Sequence, residues 1–263
     1  MRVTVVVPTY QEAENIGPFL RATRSALPDA SIVVCEDNSP DGTGRIADDV
    51  GREIGHVTVL HRPGKAGLGA AYRHGFRVAL DAGAEIVIQM DVDFSHPHEM
   101  LPHMVAAIED GGADVVVGSR YVPGGGTPDW SLHRKLLSHW GNLYARFMLR
   151  LAMRDSTSGL RAYRAGALER IRFGTTRANG YGFQIETAYR LGASGAEVVE
   201  QPLVFVDRVH GTSKMSVKIM FENTLLVTWW GLCMRLPRAT QRFRATAAGR
   251  QLEAWNARSI RGA

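Results

Sequence analysis

Ile86-Val87-Ile88-Gln89-Met90, followed at once by Asp91-Val92-Asp93, is the stretch on which the fold turns. A short, mostly apolar run of this kind reads as a strand buried on both faces, as in a parallel sheet covered by helices on each side. The acidic pair has to leave that interior, so both carboxylates emerge where the strand stops. In open parallel sheets, ligands collect beyond the carboxyl ends of the strands. Two carboxylates one residue apart can grip a hard divalent cation that also bridges phosphates, with water completing its shell. The plain alternative is a solvated pair capping the helix after Ser95-His96-Pro97. The position behind a central strand favours the cation.

The same alternation extends outward. Strands are predicted over residues 3–7, 31–36, 56–61, 86–90 and 114–118, with helices beginning near Glu12, Gly42, Leu68 and His98. The predicted class is α/β, a mostly parallel sheet with helices on both faces. The segments after the strands are the unusual ones. Pro8-Thr9-Tyr10-Gln11-Glu12 offers a helix start and an aromatic ring suited to a nucleotide base or its phosphates, though the same residues also make an ordinary Pro turn. Asp37, just past the second strand, is placed to accept hydrogen bonds from a base or ribose. Beyond residue 120 the sequence predicts a Gly-rich loop at 122–127, a long helix over 132–151, a turn at 155–159, a helix over 184–191 and a strand over 198–206. A polar loop then spans 207–214.

Arg120, Arg134, Arg161, Arg208 and Lys214 are the cations expected on this face, and several converging loop cations point to an anionic ligand. His96, His98 and His103 have spacing unsuited to zinc and are expected at a helix start or on the surface. Gly64, Gly67 and Gly69 flank Lys65 without spelling a P-loop. No nucleophile motif or reactive-cysteine setting is present, which argues against covalent acyl chemistry.

The 263 residues are 45% hydrophobic and 22% charged, in the range of a globular chain. A net charge of +5 first suggests nucleic-acid binding. Its location weakens that reading: residues 235–263 hold seven Arg and one Glu, leaving 24 Lys plus Arg against 25 Asp plus Glu elsewhere. Cys35 and Cys233 form no disulfide or metal pattern and fit a reducing compartment. With no leader-like N-terminus and no apolar run of about 20 residues, the expected location is cytoplasmic.

Taken in order, the segments from Val7 to Ile16, Glu36 to Thr43, Met90 to Pro97, Gly118 to Val122, Thr157 to Arg161 and Arg208 to Met215 resemble family 2 glycosyltransferases of the GT-A fold. More narrowly, they resemble dolichol- or polyprenol-phosphate mannose synthases. The resemblance covers about residues 3–215. It implies a catalytic domain over 1–214, followed over 215–263 by an amphipathic interfacial helix and a basic tail. Pro8, Tyr10, Glu12, Cys35 and Asp37 would line the GDP site. Asp91, Val92 and Asp93 would form the Asp-x-Asp element, with Asp93 the principal ligand of Mg²⁺ or Mn²⁺ and Ser95 a further candidate. Arg120, Arg208 and Lys214 would hold the donor diphosphate, and Arg120 and Arg134 the acceptor phosphate.

The implied reaction moves mannose from GDP-mannose to a polyprenyl or dolichyl phosphate with inversion. A UDP-glucose-dependent glucosyltransferase and a noncatalytic nucleotide-binding membrane scaffold stand as alternatives. The lipid acceptor and the Arg-rich tail imply peripheral attachment to the cytoplasmic face of an anionic membrane, directly or through an anchoring partner subunit.

Overall fold

The computed structural model describes residues 1–178, 180–207 and 217–236. In chain order its elements are β1 (Val3–Thr9), α1 (Ala13–Ala26), β2 (Ser31–Glu36), α2 (Thr43–Ile54), β3 (Val57–His61), α3 (Leu68–Asp81), β4 (Ile86–Gln89), α4 (Met100–Glu109), β5 (Val115–Ser119), α5 (Leu132–Leu149), β6 (Arg161–Arg164), α6 (Ala165–Arg170), α7 (Tyr181–Ala193), β7 (Val198–Pro202) and α8 (Val217–Arg235).

The strands form one sheet in the order β3-β2-β1-β4-β6-β5-β7. Every pairing is parallel except the two made by β6. The chain builds outward from β1 to β3, then returns to lay β4 on the other side of β1. That reversal opens a crevice at the carboxyl ends of β1 and β4. The register Val6↔Gln89, continued two residues, sets Asp91 level with Pro8.

Alternating side chains feed two cores. Val5, Val7, Ile32, Val34, Ile86 and Ile88 pack with residues of α1, α2 and α4, whereas Val6, Val33, Val87, Val115 and Val117 pack with residues of α3, α5 and α7. Burying one such side chain stabilises the fold by about 1.5–3 kcal/mol. Helix α3 lies against the sheet at Gly75, where a Cβ would come within 2.4 Å of Val6 Cγ1 and 2.7 Å of Cys35 Sγ.

Strand β6 has no counterpart in the sequence reading, because Arg161-Ala162-Tyr163-Arg164 lacks an apolar run. It runs antiparallel between β4 and β5, so its start, rather than its end, reaches the ligand edge. Arg161, expected among the phosphate-facing cations, is instead fully buried. It donates to the carbonyls of Ser158 (3.1 Å), Gln184 (3.0 Å) and Ser156 (2.7 Å) and to Thr187 Oγ1 (2.9 Å). These oxygens compensate its lost hydration, and its role is to tie the turn before β6 to α7.

Helix α8 crosses α5 closely at Gly231, where a Cβ would meet the Met148 carbonyl at 2.8 Å. It buries Leu226 and Val227 and stacks Trp230 on Tyr189 at 6.1 Å. The expected interfacial helix therefore spends part of its apolar surface on the body of the protein. Among the described residues, no helix is long and apolar enough to cross a membrane. The Arg-rich tail beyond residue 236 lies outside them.

Candidate active site

At the β1–β2 corner, Glu36 folds the loop behind β2 by accepting from the backbone N–H of Asn38 (3.0 Å) and Ser39 (2.6 Å). Asn38 takes the left-handed conformation at φ +56° that Asn tolerates in such turns. Ser39 Oγ, Thr43 Oγ1 and Asp41 then accept from the N–H groups of Gln11 (3.0 Å), Glu12 (2.9 Å) and Ala13 (3.1 Å). The start of α1 is thus capped by the neighbouring loop, so these three amides are engaged within the protein. Glu12 accepts from Asn15 Nδ2 at 2.8 Å.

At the rim of this corner, the Lys65 ammonium lies 4.6 Å from the centre of the Tyr10 ring. Arg62 pairs with Asp37, both side chains being largely buried. Burial pushes the Asp37 carboxyl above its usual range while Arg62 pulls it back. Lys65 and Arg62 were not singled out for the site from the sequence; a Lys in the Gly-rich stretch 64–69 was the available signal. Cys35 turns its side chain away from the rim. Its side chain is fully buried among Val6, Val33, Tyr72 and Phe76, and desolvation pushes the thiol up to about 12. Its side chain belongs to the core, so only its backbone, level with Pro8, is left to line the site.

At the end of β4, the buried Tyr72 hydroxyl lies 3.3 Å from both the Met90 carbonyl and Asp91 Oδ1. The Asp91 N–H donates to His96 Nδ1 at 3.5 Å. Gly159, from the turn before β6, lies so close that a Cβ would stand 2.7 Å from Asp91 Oδ2. Asp93 Oδ1 accepts from both the Ser95 N–H (3.2 Å) and Ser95 Oγ (2.6 Å). Ser95 thereby braces the carboxylate beside which it was expected to act as a metal ligand. Val92 between them is buried and anchors the pair.

His98 stands at the start of α4, as expected, but both it and His96 are buried rather than exposed. His96 meets the Phe205 ring at 5.8 Å and His98 meets Phe19 at 5.0 Å. Burial lowers the His98 pKa to about 4. His103 is exposed as expected.

The third cluster forms at β5 and α5. Asp155, fully buried, accepts from Arg120 Nε and one terminal nitrogen, each at 2.7 Å, and from the Arg120 backbone N–H at 3.1 Å. Burial alone would raise the Asp155 carboxyl, but Arg120 outweighs it and holds the group below its usual range. The same Arg120 nitrogen reaches Thr157 Oγ1 at 2.7 Å. Trp130 brings the two acceptor-phosphate candidates together: the Arg120 and Arg134 guanidinium carbons lie 5.4 and 4.0 Å from the ring centre. Arg134 also pairs with Asp207 at 3.2 Å. Trp130 and Asp155 had not been selected from the sequence as site residues. Arg208 and Lys214 lie outside the described residues.

Among the described residues, no three His, Cys, Asp or Glu form a self-sufficient metal cage. Asp91 and Asp93 nevertheless present paired hard oxygens at the edge where a ligand would bring its own. That donor set suits a Mg²⁺ or Mn²⁺ ion that completes its shell with phosphate oxygens and water.

The sequence model described as Glycosyl transferase family 2 matches residues 4–172. The chain belongs to that family. Among its glycosyltransferase relatives, an undecaprenyl-phosphate mannosyltransferase of Micrococcus luteus is 45% identical over 89% of this chain and 96% of its own. A polyprenol monophosphomannose synthase of Mycolicibacterium smegmatis is 43% identical over 90% of both. Solved glycosyltransferases share the fold at much lower identity. Glucosyl-3-phosphoglycerate synthase of Mycobacterium tuberculosis, solved with Mn²⁺ and UDP-glucose, superposes with a TM-score of 0.61 at 20% identity, covering 89% of this chain and 79% of its own. A mannosyltransferase of Pyrobaculum calidifontis, solved with GDP-Man and Mn²⁺, gives 0.60 at 19% identity, covering 98% and 72%.

Proposed function

We propose that this glycosyltransferase moves mannose from GDP-mannose to a polyprenyl phosphate with inversion. The observation that carries this reading is the opposition of two clusters on one sheet edge: paired carboxylates behind β4 and two arginines gathered on Trp130 behind β5. The names of the 45% and 43% identical relatives support the sugar and the lipid class.

In this mechanism Asp91 and Asp93 would hold the divalent ion, with Asp93 as principal ligand. A bound Mg²⁺ or Mn²⁺ supplies positive charge to the departing diphosphate. Tyr72 and Ser95 fix the directions of the two carboxylates. Tyr10 and Asp37 bound the nucleoside site. Arg120 and Arg134 orient the acceptor, and Arg208 and Lys214 are proposed partners of the diphosphate. A phosphate-monoester oxygen is already anionic near neutral pH. It attacks the anomeric carbon as the bond to the diphosphate breaks on the opposite side, giving a β-linked product. A strong general base is unnecessary, and the demand falls on preorganised charge.

Membrane attachment is proposed through α5. Leu132, Leu136, Trp140, Leu143 and Phe147 recur at intervals of three and four, so they share one helix face. All are exposed, Leu132 by 72% and Phe147 by 71%. Lys135 and Arg146 lie on the same helix, as suits an anionic interface. Liposome flotation tests this: Trp140→Asp should reduce recovery with anionic vesicles, and unchanged recovery would discard the face.

The reaction is tested by incubating the protein with Mn²⁺, a short polyprenyl phosphate and labelled GDP-mannose or UDP-glucose. Label from GDP-mannose should enter the lipid phase. Transfer from UDP-glucose alone would overturn the donor assignment, and absence of any GDP release would favour a noncatalytic scaffold.

A further inference from the structure

We propose that Trp130 is itself a phosphate-binding residue: its ring holds Arg120 and Arg134, and its indole N–H donates to an oxygen of the phosphate monoester they bind. This rests on reading the β5–α5 cluster as the acceptor site. The ring is 7% exposed, yet its Nε1–H has no hydrogen-bond partner. A buried indole N–H normally finds an acceptor, and leaving one unmade is costly. Phe205 meets the Trp130 ring at 5.4 Å and the Arg120 guanidinium at 5.9 Å. The Nε1 atom is itself buried, and a charged hydrogen bond made in such a setting is stronger than one in water.

The two arginines are held differently. Arg120 is fixed by the fully buried Asp155 in a bidentate pair, whereas Arg134 pairs at 3.2 Å with Asp207, whose side chain is 48% exposed. Asp207 can exchange for an incoming anion at little cost in desolvation, while Asp155 stays. A phosphate monoester carries three terminal oxygens, enough for two guanidinium groups and one N–H. A carboxylate carries two. The exposed apolar face of α5 begins at Leu132, two residues beyond Trp130, which suits a phosphate borne on a hydrocarbon chain.

The test is the indole ¹⁵N–¹H resonance of Trp130 in the full chain, one of five tryptophans and assigned by its loss in Trp130→Phe. Titration with a two-isoprene polyprenyl phosphate should move that resonance downfield as a hydrogen bond forms, and inorganic phosphate should move it the same way at higher concentration. Movement with inorganic phosphate but none with the lipid phosphate would overturn the assignment. So would a stationary resonance while mannose transfer to the same lipid proceeds. If the wild-type protein transfers no mannose to it, the reading of the acceptor site fails instead. In kinetics, Trp130→Phe keeps the ring and loses the donor, so KM for the lipid should rise about tenfold with KM for GDP-mannose unchanged. Trp130→Leu loses both and should raise it further, and equal rises in both KM values would also refute the proposal.

Discussion

The two ends of the ligand edge are held by different means. At the β1–β2 corner, hydrogen bonds cross between loops that directly follow their strands, and a carboxylate and two hydroxyls satisfy the amides of α1. At the β5–α5 corner, Arg120 meets Asp155 from 35 positions away, and the rings of Trp130 and Phe205 come from separate segments. Each corner holds a buried ion pair, Arg62 with Asp37 at the first and Arg120 with Asp155 at the second; the first adds side-chain caps on backbone amides, the second a fully sealed carboxylate beside edge-on rings. Loss of a cap should accordingly cost less than loss of the sealed carboxylate.

The most disruptive test of that contrast is Asp155→Asn. It strands a buried guanidinium and should cost about 3–5 kcal/mol in a denaturant titration. The sign with pH follows from the lowered carboxyl: its contribution is present above the unfolded value of about 3.9 and is lost as pH falls through the folded value. Wild type should therefore lose more stability than Asp155→Asn on acidification through that range. Next comes Asp93→Ala, expected to lower turnover by about 10²–10³ while leaving the denaturation midpoint nearly unchanged. Near-normal turnover would remove Asp93 from the mechanism.

At the β1–β2 corner, Asp41→Ala removes a helix cap and should cost about 1 kcal/mol. A loss as large as that of Asp155→Asn would erase the contrast. An effect confined to acid pH concerns His98, a base whose folded pKa of about 4 lies below an unfolded value of about 6.5. The unfolded chain takes up the proton first, so stability falls as pH drops from about 6.5 to 4. His98→Phe should flatten that part of the pH–stability curve, and an unchanged slope would rule His98 out as its source.

The same contrast explains what could be read from the sequence. β1, β2 and β4 are apolar runs whose next residues turn outward, so strand and site are written side by side, as at Asp91 and Asp93. The motif around Cys35 lies at the rim, while period-two alternation puts its side chain with Val33 beneath α3. His96 and His98 read as helix-start or surface residues, and nothing local reveals that Phe205 and Phe19 cover them. β6 begins and ends with arginine, and only the carbonyls gathered around Arg161 make such a strand tolerable. Trp130 gains its role from Arg120 and Arg134, ten and four residues away, together with Phe205, which only the fold brings to the ring.

The antiparallel course of β6 also decides where the molecule can be labelled. The turn before it, at 155–159, carries Asp155 to Arg120 and Gly159 to Asp91, so an inserted peptide there would disturb both clusters. Gly111 and Gly112 sit in the exposed turn leading into β5, at the opposite edge of the sheet. A fluorophore or affinity handle grafted there should report on the enzyme, or tether it, with the sugar-transfer edge left clear.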